Sequence, residues 1–172
     1  HTNRRKDQYG GNFENRMRFL LEIYQEVRKR VGDDYPVIMK INGSDDLPYR
    51  KGLSTETLVA IAKRMEQEGI DAVEITAGHY ESGFTFERGN FKGYTRNVLK
   101  HGMGVHFSKI KASAMWLLAP LVDLYFQKSA SFTPGFNMSY ARQFTDSLKI
   151  PVICVGGLNS KRQMDQALAN ND

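Results

Sequence analysis

Residues 36–41 read PVIMKI, a short apolar run with β-branched residues that directly follows a polar turn, GDDYP (32–36). Such a run is typical of a strand that is buried on both faces. Ahead of it, apolar residues recur at three- and four-residue steps from Phe13 to Val31, which predicts an amphipathic helix ended by Gly32. The chain therefore passes from a helix through a turn into a buried strand.

The same alternation continues along the chain. The further predicted elements are, in order, a helix from Ser54 to Gly69, a strand at IDAVEIT (70–76), a helix at SYARQFTDSLK (139–149), a strand at IPVICVGG (150–157) and a helix opened by Ser160. Helices that alternate with short apolar strands predict a parallel sheet in an α/β fold. Three strands are too few for a closed barrel, so the chain is either a small open sheet or a piece of something larger.

A long insertion separates the second strand from the third. It covers residues 79–133 and contains the aromatic, glycine-rich YESGFTFERGNFKGY (80–94) and the apolar AMWLLAPLVDLYF (114–126). Its content is too apolar for disorder, and loops of this length in compact domains are usually functional. Two interpretations stay open, a further packing helix or oligomer contact and a lid that covers a substrate.

Composition excludes several classes of protein. The 172 residues are 41% apolar and carry 24 Lys and Arg against 19 Asp and Glu, a net charge of +5. No module that interleaves basic and aromatic residues accompanies this charge, so nucleic acid is not an expected partner. No stretch has the ~18 apolar residues of a membrane span, and no disulfide can form within a chain whose one cysteine is Cys154. We expect a soluble, cytoplasmic protein in which Cys154 is a packing residue.

The stretch VGGLNS (155–160) is the first candidate binding site. Gly156 and Gly157 leave a predicted strand and lead into a helix N-terminus, where backbone N–H groups and the helix dipole favour an anion. The pattern is not the G-x-G-x-x-G of dinucleotide-binding folds. A phosphate site and a plain turn remain equal alternatives on these residues alone.

Lys40 is the second candidate, because a lysine in so apolar a strand is costly unless it pairs or faces a site. It is either a side chain whose charge reaches solvent at the strand end or a cation that faces an electron-rich ligand. Asn42, Asp45 and Asp46 follow in the loop, where they can bond to Lys40 or to a substrate.

His79 is the third and weakest candidate, a possible catalytic imidazole at the mouth of the second strand. His101 and His106 lie inside the insertion and are less well placed. The sequence contains no catalytic triad pattern, nucleotide P-loop or metal-ligand spacing, so no metal site is predicted.

The N-terminal segment has a more specific pattern. Asn3-x-Arg5-x-Asp7-x-Tyr9-Gly10-Gly11, followed by Asn15-Arg16 and RFLLEIYQEVRKRVG (18–32), resembles the diagnostic segment of the Old Yellow Enzyme family, and IPVICVGGLNS (150–160) is a second matching block. The resemblance implies an FMN-dependent NADH:flavin oxidoreductase or ene-reductase built on a (β/α)8 barrel, a fold of about 250 residues. It places the chain after the fourth strand, so that residues 1–172 form a partial FMN-binding barrel domain with strands five to seven and the insertion after strand six.

The resemblance also implies a function for particular residues. Lys40 matches a fifth-strand position where the family usually has an arginine beside the flavin, and it keeps the charge without the planar fork. Gly156 matches a glycine whose backbone contacts the FMN phosphate, and Gly157 is its neighbour. The family's substrate-binding histidine pair and its proton-donating tyrosine would precede this chain, which leaves no catalytic residue assigned here.

Two functional hypotheses follow. In the first, the chain is part of an enzyme that passes a hydride from NADH or NADPH through FMN to an activated alkene or a similar small electron acceptor. In the second, it is an inactive barrel fragment that folds or self-associates without flavin. Because a partial barrel exposes strand edges and apolar faces, we expect a homo-oligomer or a complementing barrel half.

Overall fold

The computed structural model describes residues 3–47, 51–78 and 88–170. Three parallel strands form one sheet in the order β1-β2-β3: β1 (Ile38–Asn42), β2 (Ala72–Thr76) and β3 (Val152–Cys154). The helices are α1 (Phe13–Val31), α2 (Thr55–Glu68), α3 (Tyr94–His101), α4 (Lys109–Ser129), α5 (Met138–Thr145) and α6 (Lys161–Ala169), with a short 3-10 helix (Met103–His106) between α3 and α4. The predicted α/β alternation with a parallel sheet is confirmed.

The core lies between the sheet and the helices α1, α2 and α5. Its first cluster joins the sheet to α2 and α5 through the fully or nearly fully buried Leu58, Val59, Ala62, Val73, Ile75, Ala141 and Phe144. Its second cluster joins α1 to the end of α2 through Met17, Tyr24, Met65 and Ile70. Both clusters use the apolar positions that the helical spacing predicts, and Cys154 packs against the first as expected.

The opposite face of the sheet is covered much less by the described residues. Alternation along the strands places Ile38, Ile153 and Val155 there, and their side chains are 51%, 39% and 40% exposed. The prediction of strands buried on both faces is therefore wrong for this face of the described chain. Helices on one side of a parallel sheet are what consecutive βα units produce on the outside of a barrel.

Two element boundaries differ from the prediction for local reasons. β1 begins two residues after Pro36, because proline has no N–H and the N–H of Val37 donates to the Asp71 carboxylate (2.7 Å) instead. α5 ends at Thr145 rather than near Lys149. A carboxylate oxygen of Glu66 on α2 accepts the N–H groups of Lys149 and Ile150 (2.6 and 3.0 Å). These two residues therefore bond to α2 instead of continuing α5.

The described part of the insertion folds as a helical hairpin of α3 and α4. Asp123 on α4 accepts the N–H groups of Gly93 and Thr95 at the start of α3 (2.9 and 2.8 Å). At the base of the hairpin, the Gly89 N–H donates to the Ala130 carbonyl (3.1 Å). Several large apolar side chains of α4 are solvent-exposed, including Ile110, Leu117, Leu121 and Leu124.

An ion pair closes the amino-terminal edge of the sheet. Arg28, at the end of α1, donates to the Asp71 carboxylate (2.6 Å) and to the Tyr35 carbonyl (2.7 Å). The hydrogen bond from the Val37 N–H and the one from Arg28 lower the pKa of Asp71. One carboxylate thus joins the end of α1 to the starts of β1 and β2.

We expect Asp71→Asn to lower the free energy of unfolding at neutral pH by less than a core truncation does. Because the pKa of Asp71 is lower in the folded state, its contribution is present above the unfolded-state pKa of about 3.9 and is lost as the pH falls through the folded-state pKa. Thermal unfolding of wild type and variant between pH 7 and pH 3 checks this, with Asp34→Asn as the exposed control. A stability gap that stays constant on acidification would contradict the role of this ion pair.

Candidate functional site

The carboxyl ends of the three parallel strands meet at one edge of the sheet, and the loops that follow them are bonded together. The Gly43 N–H donates to the Thr76 carbonyl (2.6 Å), and the Gly78 N–H donates to the Ser44 carbonyl (3.0 Å). The Val155 N–H donates to the Ile75 carbonyl (3.1 Å). In α/β sheets ligands bind at this edge, so it is the candidate site here.

A glycine turn leaves β3 at this edge. Gly156 and Gly157 have φ values of +118° and +78°, which side chains rarely adopt. The N–H of Gly135, in the loop before α5, donates to the Gly157 carbonyl (2.9 Å). The Ser160 hydroxyl then accepts the N–H of Gln163 (3.4 Å) and caps α6. This is the predicted strand, glycine turn and capped helix, and anion binding by its backbone stays a prediction.

Asn137 is a residue of this edge that the sequence analysis missed. Its side chain is 2% exposed and its amide donates to the Val155 carbonyl, immediately before the glycine turn. Its Oδ1 is buried without a hydrogen-bond partner among the described residues. An asparagine ahead of a predicted helix reads as an ordinary helix start, so the sequence offers no signal for this contact.

Lys40 lies on the less covered face of the sheet, two residues before β1 ends at Asn42. Its Nζ is 2.7 Å from the carboxylate of Glu74, the residue opposite it on β2, and its side chain is 60% exposed. The lysine thus pairs within the sheet and also reaches solvent. An ammonium has three N–H donors, so this pairing leaves donors for a ligand acceptor.

Asn42, at the end of β1, and the following Asp45 and Asp46 brace the loop rather than bond to Lys40. The Asn42 amide donates to Asp45 (3.3 Å), and Asp45 accepts the N–H of Leu53 (2.7 Å). Asp46, with φ +44°, accepts the Tyr140 hydroxyl of α5 at 3.1 and 3.2 Å from its two carboxylate oxygens. These contacts fix the β1 loop against α5 at the edge of the candidate site.

Burial raises the pKa of Tyr140, and the Asp46 carboxylate raises it further. The positive charge of Arg88, from the insertion, opposes that rise. Tyr140 therefore stays a neutral hydrogen-bond donor to Asp46.

The remaining candidates are histidines. His101 and His106 end α3 and the 3-10 helix of the hairpin, and His79 lies outside the described residues. Over residues 3–47, 51–78 and 88–170, no three His, Cys, Asp or Glu side chains are grouped to hold a metal ion. Across the same ranges, every helix is too short or too polar to cross a membrane.

The N-terminal motif is a turn that is held by bonds among its own residues and bonds to α1 through Tyr9 and Glu22 (3.1 Å). Asn3 Nδ2 donates to the Tyr9 carbonyl (2.7 Å), and the Arg5 guanidinium pairs with the Asp7 carboxylate and stacks on the Tyr9 ring (5.0 Å to its centre). The hydrogen bond from Arg5 lowers the pKa of Asp7 to about 2. A Cβ on Gly10 would collide with the Arg5 carbonyl oxygen. Each of these residues bonds to or closely contacts another in the motif, which indicates a structural function for it.

Lys40 and the glycine turn are separated along both directions of the sheet. Two strand spacings of ~4.8 Å lie between β1 and β3, and Gly156 is three residues beyond Ile153, which is level with Lys40 and Glu74. The separation is therefore on the order of 10 Å or more. An elongated ligand along this edge can therefore contact both.

Comparison with known proteins gives a family and several relatives. Residues 1–101 match the model of the NADH:flavin oxidoreductase / NADH oxidase family. An NADH oxidase of Thermoanaerobacter brockii is 42% identical over 81 residues, which cover 47% of this chain and 12% of that protein. An NADPH dehydrogenase of Geobacillus sp. (strain WCH70) is 43% identical over 77 residues, or 45% of this chain and 22% of that protein.

A third relative matches almost the whole chain. The 4,4'-dithiodibutanoate disulfide reductase of Rhodococcus erythropolis is 30% identical over 171 residues, which cover 96% of this chain and 38% of that protein. The matched segments therefore span between 12% and 38% of the length of these three relatives.

Proposed function

Because the chain belongs to the NADH:flavin oxidoreductase / NADH oxidase family, we propose that the protein binds FMN at the carboxyl edge of its sheet and reduces a small electron acceptor. The family implies FMN as cofactor and NADH or NADPH as reductant. One observation carries the proposal. A strand, a glycine turn and a capped helix lie at the same sheet edge as Lys40, and an elongated ligand can contact both the turn and the lysine.

The same family supports a larger fold. We infer that β1, β2 and β3 are strands five to seven of a (β/α)8 barrel, with the insertion after strand six. Helices cover one face of the sheet, as outside a barrel, and the other face has exposed apolar residues that further strands would cover. The coverage can come from a complementing half of the barrel or from a second copy of the chain.

The residues present fit FMN. The backbone of Gly156 and Gly157, with α6 behind it, suits the phosphate, because N–H groups at a helix start attract anions. Lys40 suits the polar edge of the flavin ring, where a cation stabilises negative charge. Glu74 holds the ammonium in place and partly offsets its charge. The Oδ1 of Asn137 next to the turn is buried and has no hydrogen-bond partner among the described residues, so it is a further acceptor for a ligand N–H or O–H.

When bound, FMN supplies two-electron chemistry that carries a hydride from NADH or NADPH to the acceptor. In the overall reaction an activated alkene gains that hydride at one carbon and a proton from the medium at the other, while the nicotinamide is oxidised. The described residues contribute binding and orientation at the sheet edge, and none of them is assigned as the proton donor.

The acceptor is proposed as a small molecule with an activated double bond or a similar reducible group. The relative that covers most of this chain is named for the reduction of a disulfide, 4,4'-dithiodibutanoate, which widens that class. The insertion follows β2 at the carboxyl edge, so we propose that it covers the site as a lid and selects the acceptor.

The visible spectrum of the purified protein tests the proposal. We expect an oxidised-flavin band that NADH or NADPH bleaches, and we expect Lys40→Met to weaken FMN binding about tenfold, the effect of losing one charged hydrogen bond. Fluorescence titration with FMN measures the change. Lys63→Met, an exposed lysine of α2, is the matched control and should bind FMN as wild type does.

A colourless protein that takes up no added FMN would overturn the proposal for this polypeptide. That result would favour the alternative, an inactive fragment that folds or self-associates without flavin. The exposed Ile38, Ile153 and Val155 on the sheet are the observation behind this alternative, because an uncovered apolar face favours association.

A further inference from the structure

The glycine turn that leaves β3 is in direct contact with the loop before α5, residues 135–137. A Cβ on Gly156 would lie 2.5 Å from Asn137 Nδ2, and a Cβ on Gly157 would lie 2.7 Å from Phe136 Cδ1. Only glycine lets two backbone segments come this close at positive φ. The loop and the turn therefore form one packed unit.

Two hydrogen bonds join this loop to carbonyl groups of the turn. The Asn137 amide donates to the Val155 carbonyl, and the Gly135 N–H donates to the Gly157 carbonyl (2.9 Å). Because Asn137 is 2% exposed, its bond to the turn is shielded from water. The loop thus fixes the direction of the carbonyl groups of Val155 and Gly157.

The loop is itself braced by its neighbours. The Phe136 ring packs edge-on against Phe132 (6.4 Å between ring centres) and lies 4.8 Å from the guanidinium carbon of Arg88. The Asn137 carbonyl accepts the N–H of Tyr140 in α5 (3.1 Å). These contacts give the two donors of the loop fixed positions, from which they can orient the turn.

The direction of the two carbonyl groups determines the direction of the N–H groups that follow them. The peptide bonds here are trans, so each carbonyl points opposite to the N–H of the next residue. The Gly156 N–H therefore points away from Asn137, and the Leu158 N–H points away from Gly135. Neither N–H donates a hydrogen bond to any residue that the structure describes. Backbone donors grouped in this way at a turn form an anion-binding concavity.

We propose that Asn137 is a positioning residue, which aims the N–H groups of Gly156 and Leu158 at the phosphate of FMN. This role rests on the proposed function, since it concerns the same glycine turn. It adds the backbone of Leu158 to the phosphate donors. It also assigns the orientation of the turn to a buried side chain 18 residues earlier in the chain.

The test compares FMN with riboflavin, which has the same ring and ribityl chain without the phosphate. We expect Asn137→Ala to raise the Kd for FMN roughly tenfold and to leave the Kd for riboflavin unchanged, because only the phosphate uses the oriented donors. Asn12→Ala is the matched control. It removes the asparagine that caps α1 by accepting the Asn15 N–H (2.9 Å), and it should bind both flavins as wild type does.

Amide NMR of the wild-type protein tests the geometry without any substitution. We expect FMN to shift the amide resonances of Gly156 and Leu158 and riboflavin to leave them nearly unchanged. This measurement also decides the question if Asn137→Ala does not fold.

The outcomes separate the role of Asn137 from the proposed function. An unchanged Kd for FMN in Asn137→Ala, or an equal rise for FMN and riboflavin, would overturn the role of Asn137 alone. Equal amide shifts of Gly156 and Leu158 with the two flavins would also overturn it. A wild-type protein that binds neither flavin would overturn the proposed function itself.

Discussion

Phe144→Ala is expected to lower the free energy of unfolding by about 3–5 kcal/mol, the usual cost of removing a buried aromatic ring. Phe144 is fully buried in the cluster that joins α2, α5 and the sheet. Its neighbours Val73 and Ile75 are on the central strand and are also fully buried. The backbone around them cannot collapse into the space without moving the sheet, so most of the cavity should persist.

Denaturant unfolding followed by circular dichroism measures this loss. Phe19→Ala is the matched control, because the same ring is removed from α1 at a position that is 64% exposed. It should cost less than about 1 kcal/mol. Similar losses for the two variants would mean that α5 does not pack on the sheet as described.

Gly157→Ala is expected to destabilise the protein by more than about 2 kcal/mol and to weaken FMN binding at least tenfold. The φ of +78° costs an alanine about 1–2 kcal/mol. The new Cβ would also lie 2.8 Å from the Gly135 nitrogen and 2.7 Å from Phe136 Cδ1. Because one of these atoms is backbone, the turn has to shift, and overpacking of this kind costs a further ~1–3 kcal/mol.

Gly93→Ala separates the two causes. Gly93 has a φ of +76°, nearly the same as Gly157, but a Cβ there would meet no atom within 4 Å. It should cost only the conformational part, about 1–2 kcal/mol, and leave FMN binding unchanged. Unfolding free energies and FMN titrations of both variants provide the comparison. The close contact around the turn would be disproved by equal losses in the two variants.

The fold was predictable where the signals are local. The stripe from Phe13 to Val31 and the terminating Gly32 define α1 to the residue, because helix periodicity and a glycine end are encoded within the segment itself. The end of α5 was not predictable, since the carboxylate that bonds to the N–H groups of Lys149 and Ile150 beyond it belongs to Glu66 on another helix. Only the packed structure brings the two together.

In the candidate site, too, local features were predictable and contacts between distant segments were not. The sequence predicted a strand that is followed by two glycines and a helix started by Ser160. It also predicted a lysine within an apolar strand. The partner of that lysine, Glu74, depends on the register of β1 against β2, which no pattern within either strand specifies. Asn137, Phe136 and Arg88 reach the edge through contacts between segments distant in sequence, so their part in it could not be anticipated.

The backbone pairing at the base of the α3–α4 hairpin has an evolutionary consequence. Because Gly89 is joined to Ala130 and Ser131, the forty residues between positions 89 and 130 leave and return at one point of the molecule. The entropy of closing such an excursion grows only slowly with its length, by about 0.6 kcal/mol for each doubling. The hairpin can therefore be shortened or lengthened with little effect on the sheet, and under the proposed function such changes would alter the acceptor without altering the flavin site.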